Sequence, residues 1–206
     1  MSTTRRVRQT QSERRAHTRA ALIAAALDCL AEEGYAATTT RRVAERAHSS
    51  LGAIAHHFPT RMDLITATLD ETGQRSVAEF DTHLDTLRRT GNLTTAAILD
   101  VIWASFHNRL FTVWLRVWTA AGEDRDLYNR LIAVEQRLSK AIADLVAEAA
   151  PADLPHSEWN RRLTLALDTI RGLALRLSLT PRNPNEPVAD PWPATRTELI
   201  TLIDRR

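Results

Sequence analysis

The sequence is poor in cysteine and glycine and has no long apolar run. One cysteine, Cys29, occurs in 206 residues, which excludes an intramolecular disulfide and fits a reducing compartment. It lies in the run Ala24-Ala25-Ala26-Leu27-Asp28-Cys29-Leu30, a setting for a small core residue rather than a nucleophile. No stretch approaches the roughly 20 apolar residues of a membrane span. The charged N-terminus does not read as a signal peptide, so the expected location is cytoplasmic, with no membrane partner. Catalytic signatures are also missing. There is no Gly-rich phosphate loop, CxxC pair or HExxH, and no nucleophile and base can be assigned. His56 and His57 are adjacent, about 100° apart on a helix, a poor pair for one metal ion. The expectation is a protein that is not an enzyme and uses no cofactor or metal.

What is present favours helices. Glycines number six, while the strong helix formers Ala, Leu and Arg are abundant. No segment alternates with period two, so no sheet is needed. The net charge of +2 is unevenly spread: residues 1–61 hold ten arginines against five acids. The rest is mildly acidic. A basic N-terminal piece suits a polyanionic partner, although scattered surface charge reads the same way.

Periodicity begins near His17, with Leu22, Ala26, Cys29 and Leu30 on one helical face, and Gly34 stops it. Thr38 or Thr39 caps a short helix through about Arg46, and Ser49 or Ser50 caps a third ending near His57. A long fourth helix carries Asp63, Leu64, Ile65 and Leu69 and continues to about Arg89. Further helices are predicted over 93–107, 109–121, 125–149, 157–179 and 194–204. The fold class is therefore all-α with about nine helices. Residues 1–16 read as a flexible basic arm, 17–61 as a three-helix domain, and 62–206 as a larger helical domain.

The informative segment runs from Thr39 to Phe58. Val43 and Ala47 form the inner face of a first short helix, and small Ala44 lets a second helix approach. Leu51 and Ile54 fit the inner or flanking face of that second helix, and Gly52 permits close approach to another surface. Ser50 caps it and aims its first N–H groups at phosphate. Ser49, His56 and His57 remain for the outer face. This is a helix-turn-helix: the second helix enters the major groove and the first crosses the backbone.

Residues 17–65 resemble the N-terminal domain of TetR-family regulators. The shared features are the Ala-rich helix, Gly34-Tyr35, Thr38-Thr39-Thr40, Val43-Ala44, Ala47, Ser50, Gly52, Ile54, His57-Phe58-Pro59, Arg61 and Leu64. The resemblance implies phosphate contacts from Thr40, Arg41 and Arg61. It implies positions near base edges for Ser50, Leu51, Ala53 and His56. Two residues depart from the family pattern. His48 stands where the turn usually has Gly, a position that commonly needs φ > 0. Ala55 replaces a Tyr that often bonds phosphate, a contact that His56, His57 or the arm could replace.

In the body, Trp103, Phe106, His107, Phe111, Trp114 and Trp118 are concentrated in one region. The resemblance implies an effector chamber there, and Arg109 and Arg116 could meet an anion; ordinary core packing is the alternative. Phe111 to Trp118 and Asp168 to Arg176 are similar to the C-terminal domain of the choline-sensing, BetI-like subgroup. Its tryptophans could cage a quaternary ammonium. Leu163, Leu167, Ile170, Ala174 and Leu177 form a stripe with Gly172. With Leu199 and Ile203 of the last helix this suggests a dimer interface, or else an intramolecular core. The expected function is a sequence-specific repressor, released from a palindromic operator by a small-molecule effector and acting as a homodimer. The alternative is a ligand-binding or interaction protein on the same fold with weakened DNA binding.

Overall fold

The structure, a computed structural model, describes residues 10–150, 154–179 and 189–205. Among the described residues there are nine α-helices and no strand. They are α1 (Gln11–Glu32), α2 (Thr40–Arg46), α3 (Leu51–His57), α4 (Arg61–Arg89), α5 (Thr95–Ser105), α6 (Arg109–Ala121), α7 (Arg125–Val146), α8 (His156–Leu179) and α9 (Trp192–Asp204). The all-α expectation holds.

The first helix starts earlier than periodicity predicts. Of the arm expected over 1–16, residues 1–9 lie outside the described residues, and Gln11 already opens α1. The cause is a capping box at Thr10. Its hydroxyl accepts from the Glu13 N–H at 3.2 Å, and the Glu13 carboxylate accepts from the Thr10 N–H at 2.7 Å. Residues 11–17 are all exposed, so these turns bury no apolar face and leave no periodic signal. Later in the chain, α7 stops at Val146, and Ala147–Ala149 tighten into a 3₁₀ turn. The proline-rich loop expected over 181–193 lies mostly outside the described residues. Helix α9 opens at Trp192 with Pro193 in its first turn, where a missing N–H costs nothing.

The chain divides into two compact units. One comprises the described residues up to Asp70 with Arg116–Leu131; the other comprises Glu71–Leu115 and the described residues from Ile132. In the first unit, α1 packs against α2 and α3, and α2 against α3. Its core joins Leu22, Ile23, Ala26 and Cys29 of α1 to Val43, Ala44, Ile54, Phe58 and Leu64. Cys29 is completely buried, as its apolar run implied, and burial pushes its thiol pKa up, with Glu33 adding to the effect.

In the second unit, Phe80, Leu84, Ile98, Ile102, Trp159, Leu163, Ile170, Leu199 and Ile203 belong to one core. Helices α4 and α7 approach closely at Gly73, where a Cβ would lie 2.5 Å from Cδ1 of Leu138. Helix α9 is held from two sides. Asp100 of α5 receives Arg196 Nε at 2.7 Å, Arg196 Nη2 at 2.8 Å and the Trp192 indole N–H at 3.0 Å. Arg162 of α8 donates to the Ile203 carbonyl at 2.9 Å and to that of Arg205, meeting the carbonyl end of α9 with a cation.

Candidate nucleic-acid interface

Helices α2 and α3 are each seven residues long and would be marginal in isolation. Local caps and shared burial hold them. The Thr39 hydroxyl accepts from the Arg42 N–H at 3.1 Å, and the Ser50 hydroxyl from the Ala53 N–H at 3.1 Å. Of the alternative caps read from the sequence, the second of each pair is the one used. Val43 and Ala44 of α2 and Ile54 of α3 are at most 4% exposed, and these apolar residues fix the pair onto α1.

The turn between them is set by His48. Its φ is 48°, and it is the one non-glycine with positive φ among the described residues. The His48 N–H reaches the Glu45 carbonyl at 3.2 Å and the Ser49 N–H reaches that of Ala44 at 2.9 Å. These two bonds form a Schellman closure with His48 at the left-handed position. Gly91, with φ of 67°, closes α4 through the equivalent pair, Gly91 to Arg88 and Asn92 to Leu87. His48 thus does by force what Gly91 does freely.

The outer face of α3 is open. Leu51 is 55% exposed, although a large aliphatic side chain gains by burial. Gly52, Ala55 and His56 are also exposed, Ala53 is half-buried, and a Cβ on Gly52 would meet nothing closer than the Ser50 hydroxyl at 3.8 Å. Among the described residues, none packs over that face. Arg41 lies on α2 with its side chain 82% exposed, in an i,i+4 pair with Glu45 at 3.0 Å, a bond too weak to hold it from a phosphate. Thr40 is half-buried at the first position of α2.

Three placements were not foreseen. Arg61 lies half-buried on α4, and its guanidinium donates to the Thr38 carbonyl at 2.6 Å and to that of Tyr35 while stacking 4.1 Å over the Tyr35 ring. It ties the loop between α1 and α2 to the start of α4. Two of its five N–H donors are taken by these carbonyls, a positioning role that the resemblance does not imply. Arg42 and Arg46 are committed to acids: Arg42 to Glu33 at 2.9 Å, Arg46 to Glu32 at 2.6 Å and to Asp28 at 3.6 Å. Finally, Arg15 and Arg19 of α1 act electrostatically on His57. Arg15 falls within the arm expected over 1–16, and Arg19 lies just beyond it. Their i,i+4 spacing on a helix that begins before His17 was the available signal.

His57 is half-buried at the end of α3. Burial pulls its pKa below the usual imidazole range, and His56, Arg15 and Arg19 push it further down. The His56 and His57 rings meet edge to face at 5.4 Å.

The aromatic residues of the body do not form one group. Trp103 stacks on Trp192 at 4.7 Å with 6° between planes, and His107 meets Trp103 edge-on at 4.3 Å. Trp192 was not anticipated. Phe106 and Phe111 form a separate T-shaped pair at 4.9 Å. Trp114 is half-buried in the same unit, whereas Trp118 belongs to the other unit and pairs with Tyr128 at 6.1 Å. Stacking on Trp192 covers one face of Trp103.

The stripe expected to face a partner turns inward. Leu163, Ile170, Ala174, Leu199 and Ile203 are each at most 4% exposed within this one chain, and Leu167 and Leu177 are half-buried. The intramolecular alternative is the one realised for the buried five. The apolar residues that α8 exposes lie on the opposite face: Leu165 at 46%, Leu175 at 39% and Leu179 at 72%, with Gly172 open beside them. None of the described helices is long and apolar enough to cross a membrane.

Comparison with known proteins agrees with this geometry. The model for bacterial regulatory proteins of the tetR family matches residues 22–68, which span the helix-turn-helix. The chain is 30% identical to the HTH-type transcriptional regulator CymR of Pseudomonas putida over 170 residues, covering 82% of this chain and 83% of CymR. It is 29% identical to the HTH-type transcriptional regulator BetI of Burkholderia lata over 166 residues, covering 78% of this chain and 82% of BetI. The crystal structure of the multidrug binding protein EbrR complexed with imidazole superposes with a TM-score of 0.66 at 19% identity, over 91% of this chain and 96% of that one. A capped, histidine-turned pair of short helices on an Ala-rich first helix, carried through most of the length of a named regulator, means that the chain belongs to the TetR family of bacterial helix-turn-helix transcriptional regulators.

Proposed function

We propose that this regulator is a repressor that binds a palindromic operator as a homodimer and leaves it when a small molecule binds residues 62–206. The open outer face of α3 carries the reading. Leu51, Gly52, Ala55 and His56 are exposed on a helix whose inner residue Ile54 is buried, which leaves the apolar Leu51 side chain available to another surface. Thymine methyl groups in the major groove offer one. Ser50, Leu51, Ala53 and His56 then lie at base edges, while Thr40, Arg41 and His57 contact backbone phosphates. Arg61 positions α4 rather than touching DNA. Residues 17–61 form the DNA-binding domain, and the helix α1 that carries it starts at Gln11.

Dimerisation would use the exposed face of α8. Leu165, Leu175 and Leu179 share a stripe with Gly172, whose missing side chain lets a partner helix come near. A two-fold pair would set two copies of α3 about one helical turn of DNA, or a multiple, apart. Leu175→Glu with Leu179→Glu is expected to give monomers in sedimentation at micromolar concentration. Unaltered dimers would move the interface elsewhere.

For the effector, the multidrug binding of EbrR and the BetI relative support a small-molecule site in the second unit and a BetI-like subgroup. The Trp159 indole N–H supports it too. It is buried in that core and has no hydrogen-bond partner among the described residues, so an effector with an acceptor atom would satisfy it. Release follows if the effector binds the DNA-incompetent state more tightly. Helix α4, which carries Leu64 and Leu69 in the first unit and continues to Arg89, is the element whose tilt would separate the α3 helices.

The test is selection of duplexes from a random pool by the full-length protein, followed by titration of the selected duplex against salt. Enrichment of a palindrome with steeply salt-dependent affinity is expected. If no sequence is enriched at moderate salt, the alternative of a ligand-binding or interaction protein takes over.

A further inference from the structure

Helices α7 and α8 leave a groove of about 450 Å³ between them, within the second unit. That is within the roughly 300–1,000 Å³ of small-molecule sites. Small residues on α7 create it. Ser139 and Ala143 are four apart and share the face that lines the groove, and neither side chain is large enough to fill the space. Leu163 and Leu167 of α8 give it an apolar floor. Leu163 is 3% exposed and belongs to the core of the unit, and Leu167 is half-buried against that core.

The charges along the groove are unequal. Three carboxylates, Glu135, Asp144 and Asp168, line it together with two cations, Lys140 and Arg171. Lys140 meets Asp144 at 2.7 Å, and Arg171 meets Glu135 at 2.8 Å. Arg171 reaches Asp168 only at 3.5 Å, so Asp168 is the carboxylate in excess. An entering anion would have to displace a carboxylate from either cation. A cation need only approach Asp168. One turn before Asp168, the Thr164 hydroxyl donates to the Asn160 carbonyl at 2.8 Å. Its oxygen is then left as an acceptor towards the groove.

We infer that this groove binds a small protonated amine with an apolar body. The amine donates its N–H groups to Asp168 and Thr164, and the body lies on Leu163 and Leu167. The inference rests on the reading that a small molecule binds residues 62–206, and it gives that molecule a place and a chemical class. A charge-assisted hydrogen bond needs an N–H. A quaternary ammonium has the charge but no N–H, so the groove prefers a primary amine to its trimethylated form. The groove is open to solvent along Asp168 and Thr164, which are exposed, so salt weakens the attraction.

The experiment uses three probes of similar body and different head group: phenethylammonium, its trimethylated form and phenylacetate. Titration calorimetry and saturation-transfer NMR on the full-length protein read binding, and anisotropy of the duplex selected above reads release. Wild type should bind the amine most tightly and the carboxylate least. Asp168→Asn keeps the Arg171–Glu135 pair and should weaken the amine by about three- to tenfold. Ser139→Leu fills the groove and should abolish amine binding. Saturating amine should weaken the duplex complex of wild type and not that of Ser139→Leu. Sedimentation is run alongside, because Asp168 lies beside the exposed Leu175 and Leu179 on the wheel of α8. If Asp168→Asn alters the oligomeric state, the assignment rests on Ser139→Leu of α7. Carboxylate binding as tight as that of the amine overturns the chemical class. Amine binding that survives Ser139→Leu overturns the site, and its loss in Trp159→Phe would move the effector into the core with the effector reading intact. Amine bound in the groove without effect on the duplex overturns the groove as the effector site. No binding of the amine to wild type overturns the inference, whereas the effector reading fails only if no compound of a broad library releases the duplex.

Discussion

His48→Gly should stabilise the protein, and the size of the gain can be worked out from the turn. His48 sits at φ of 48°, where an L side chain crowds the following carbonyl and costs about 1–2 kcal/mol. Histidine is one of the residues that tolerate this region best, so about 1 kcal/mol is the figure to use. Glycine removes that cost but loses about 0.5 kcal/mol more chain entropy on folding. The difference is a net gain of about 0.5 kcal/mol. The Schellman bonds of His48 and Ser49 need only backbone atoms, so they survive the change, and Gly91 shows the same closure with glycine in place. In a protein of this size the gain raises Tm by about 1–2 °C. His48→Ala keeps the strain without the tolerance of a polar side chain, so the expected order of Tm is Gly, His, Ala. Scanning calorimetry at one fixed protein concentration, as any dimer requires, reads the order directly. If His48→Gly melts at or below His48→Ala, the turn is not under strain and the reasoning fails.

Other perturbations test other parts of the fold. Asp100→Ala removes the acceptor of a tryptophan that is 7% exposed and should cost about 1–2 kcal/mol, read in a denaturant titration; an unchanged midpoint would mean that α9 is not held there. Arg61→Ala should lower Tm as well as DNA affinity, because two carbonyls lose their donor, whereas Arg41→Ala should weaken DNA binding with Tm unchanged; equal melting of both variants would return Arg61 to the phosphate role. Glu158 is held down to about 2 by Arg161 and Arg162. Its native pKa lies below the unfolded value, so its contribution is complete above about pH 4.5 and is lost as pH falls towards 2. Glu158→Gln should flatten part of the acid limb of stability against pH. His57 works in the opposite sense to a salt-bridged histidine: its native pKa is lowered, the unfolded state binds the proton more readily, and stability falls as pH drops through about 6.5.

Much of the fold was legible because its helix ends are local chemistry. Thr39, Ser50, Gly34 and Gly91 terminate helices through their own side chains or their own φ, and each can be read one residue at a time. The α1 start was missed because residues 11–17 bury nothing, so a helix held by the Thr10–Glu13 box leaves no hydrophobic period. Contacts distant in sequence were the other blind spot. Nothing at position 61 reveals that its guanidinium meets carbonyls at 35 and 38. The stacking of Trp192 on Trp103 spans almost ninety positions. On α8 the stripe at 163, 167, 170 and 174 was visible, but a helical stripe reads the same whether it faces its own core or a partner. Burial decides that, and it turns the stripe inward and leaves Leu165, Leu175 and Leu179 outside.

Cys29 gives the molecule a built-in clock. It is the chain's one thiol, it is sealed in the core shared by α1, α2 and α3, and burial keeps it protonated. A thiol reagent can reach it only when that core opens, so the labelling rate measures the opening of the DNA-binding unit alone. The second unit has no thiol among its residues and stays silent. Operator added before the reagent should slow the clock by the amount it stabilises this unit. Effector, added in turn, shows whether release from DNA loosens the unit from within or moves it as a rigid body.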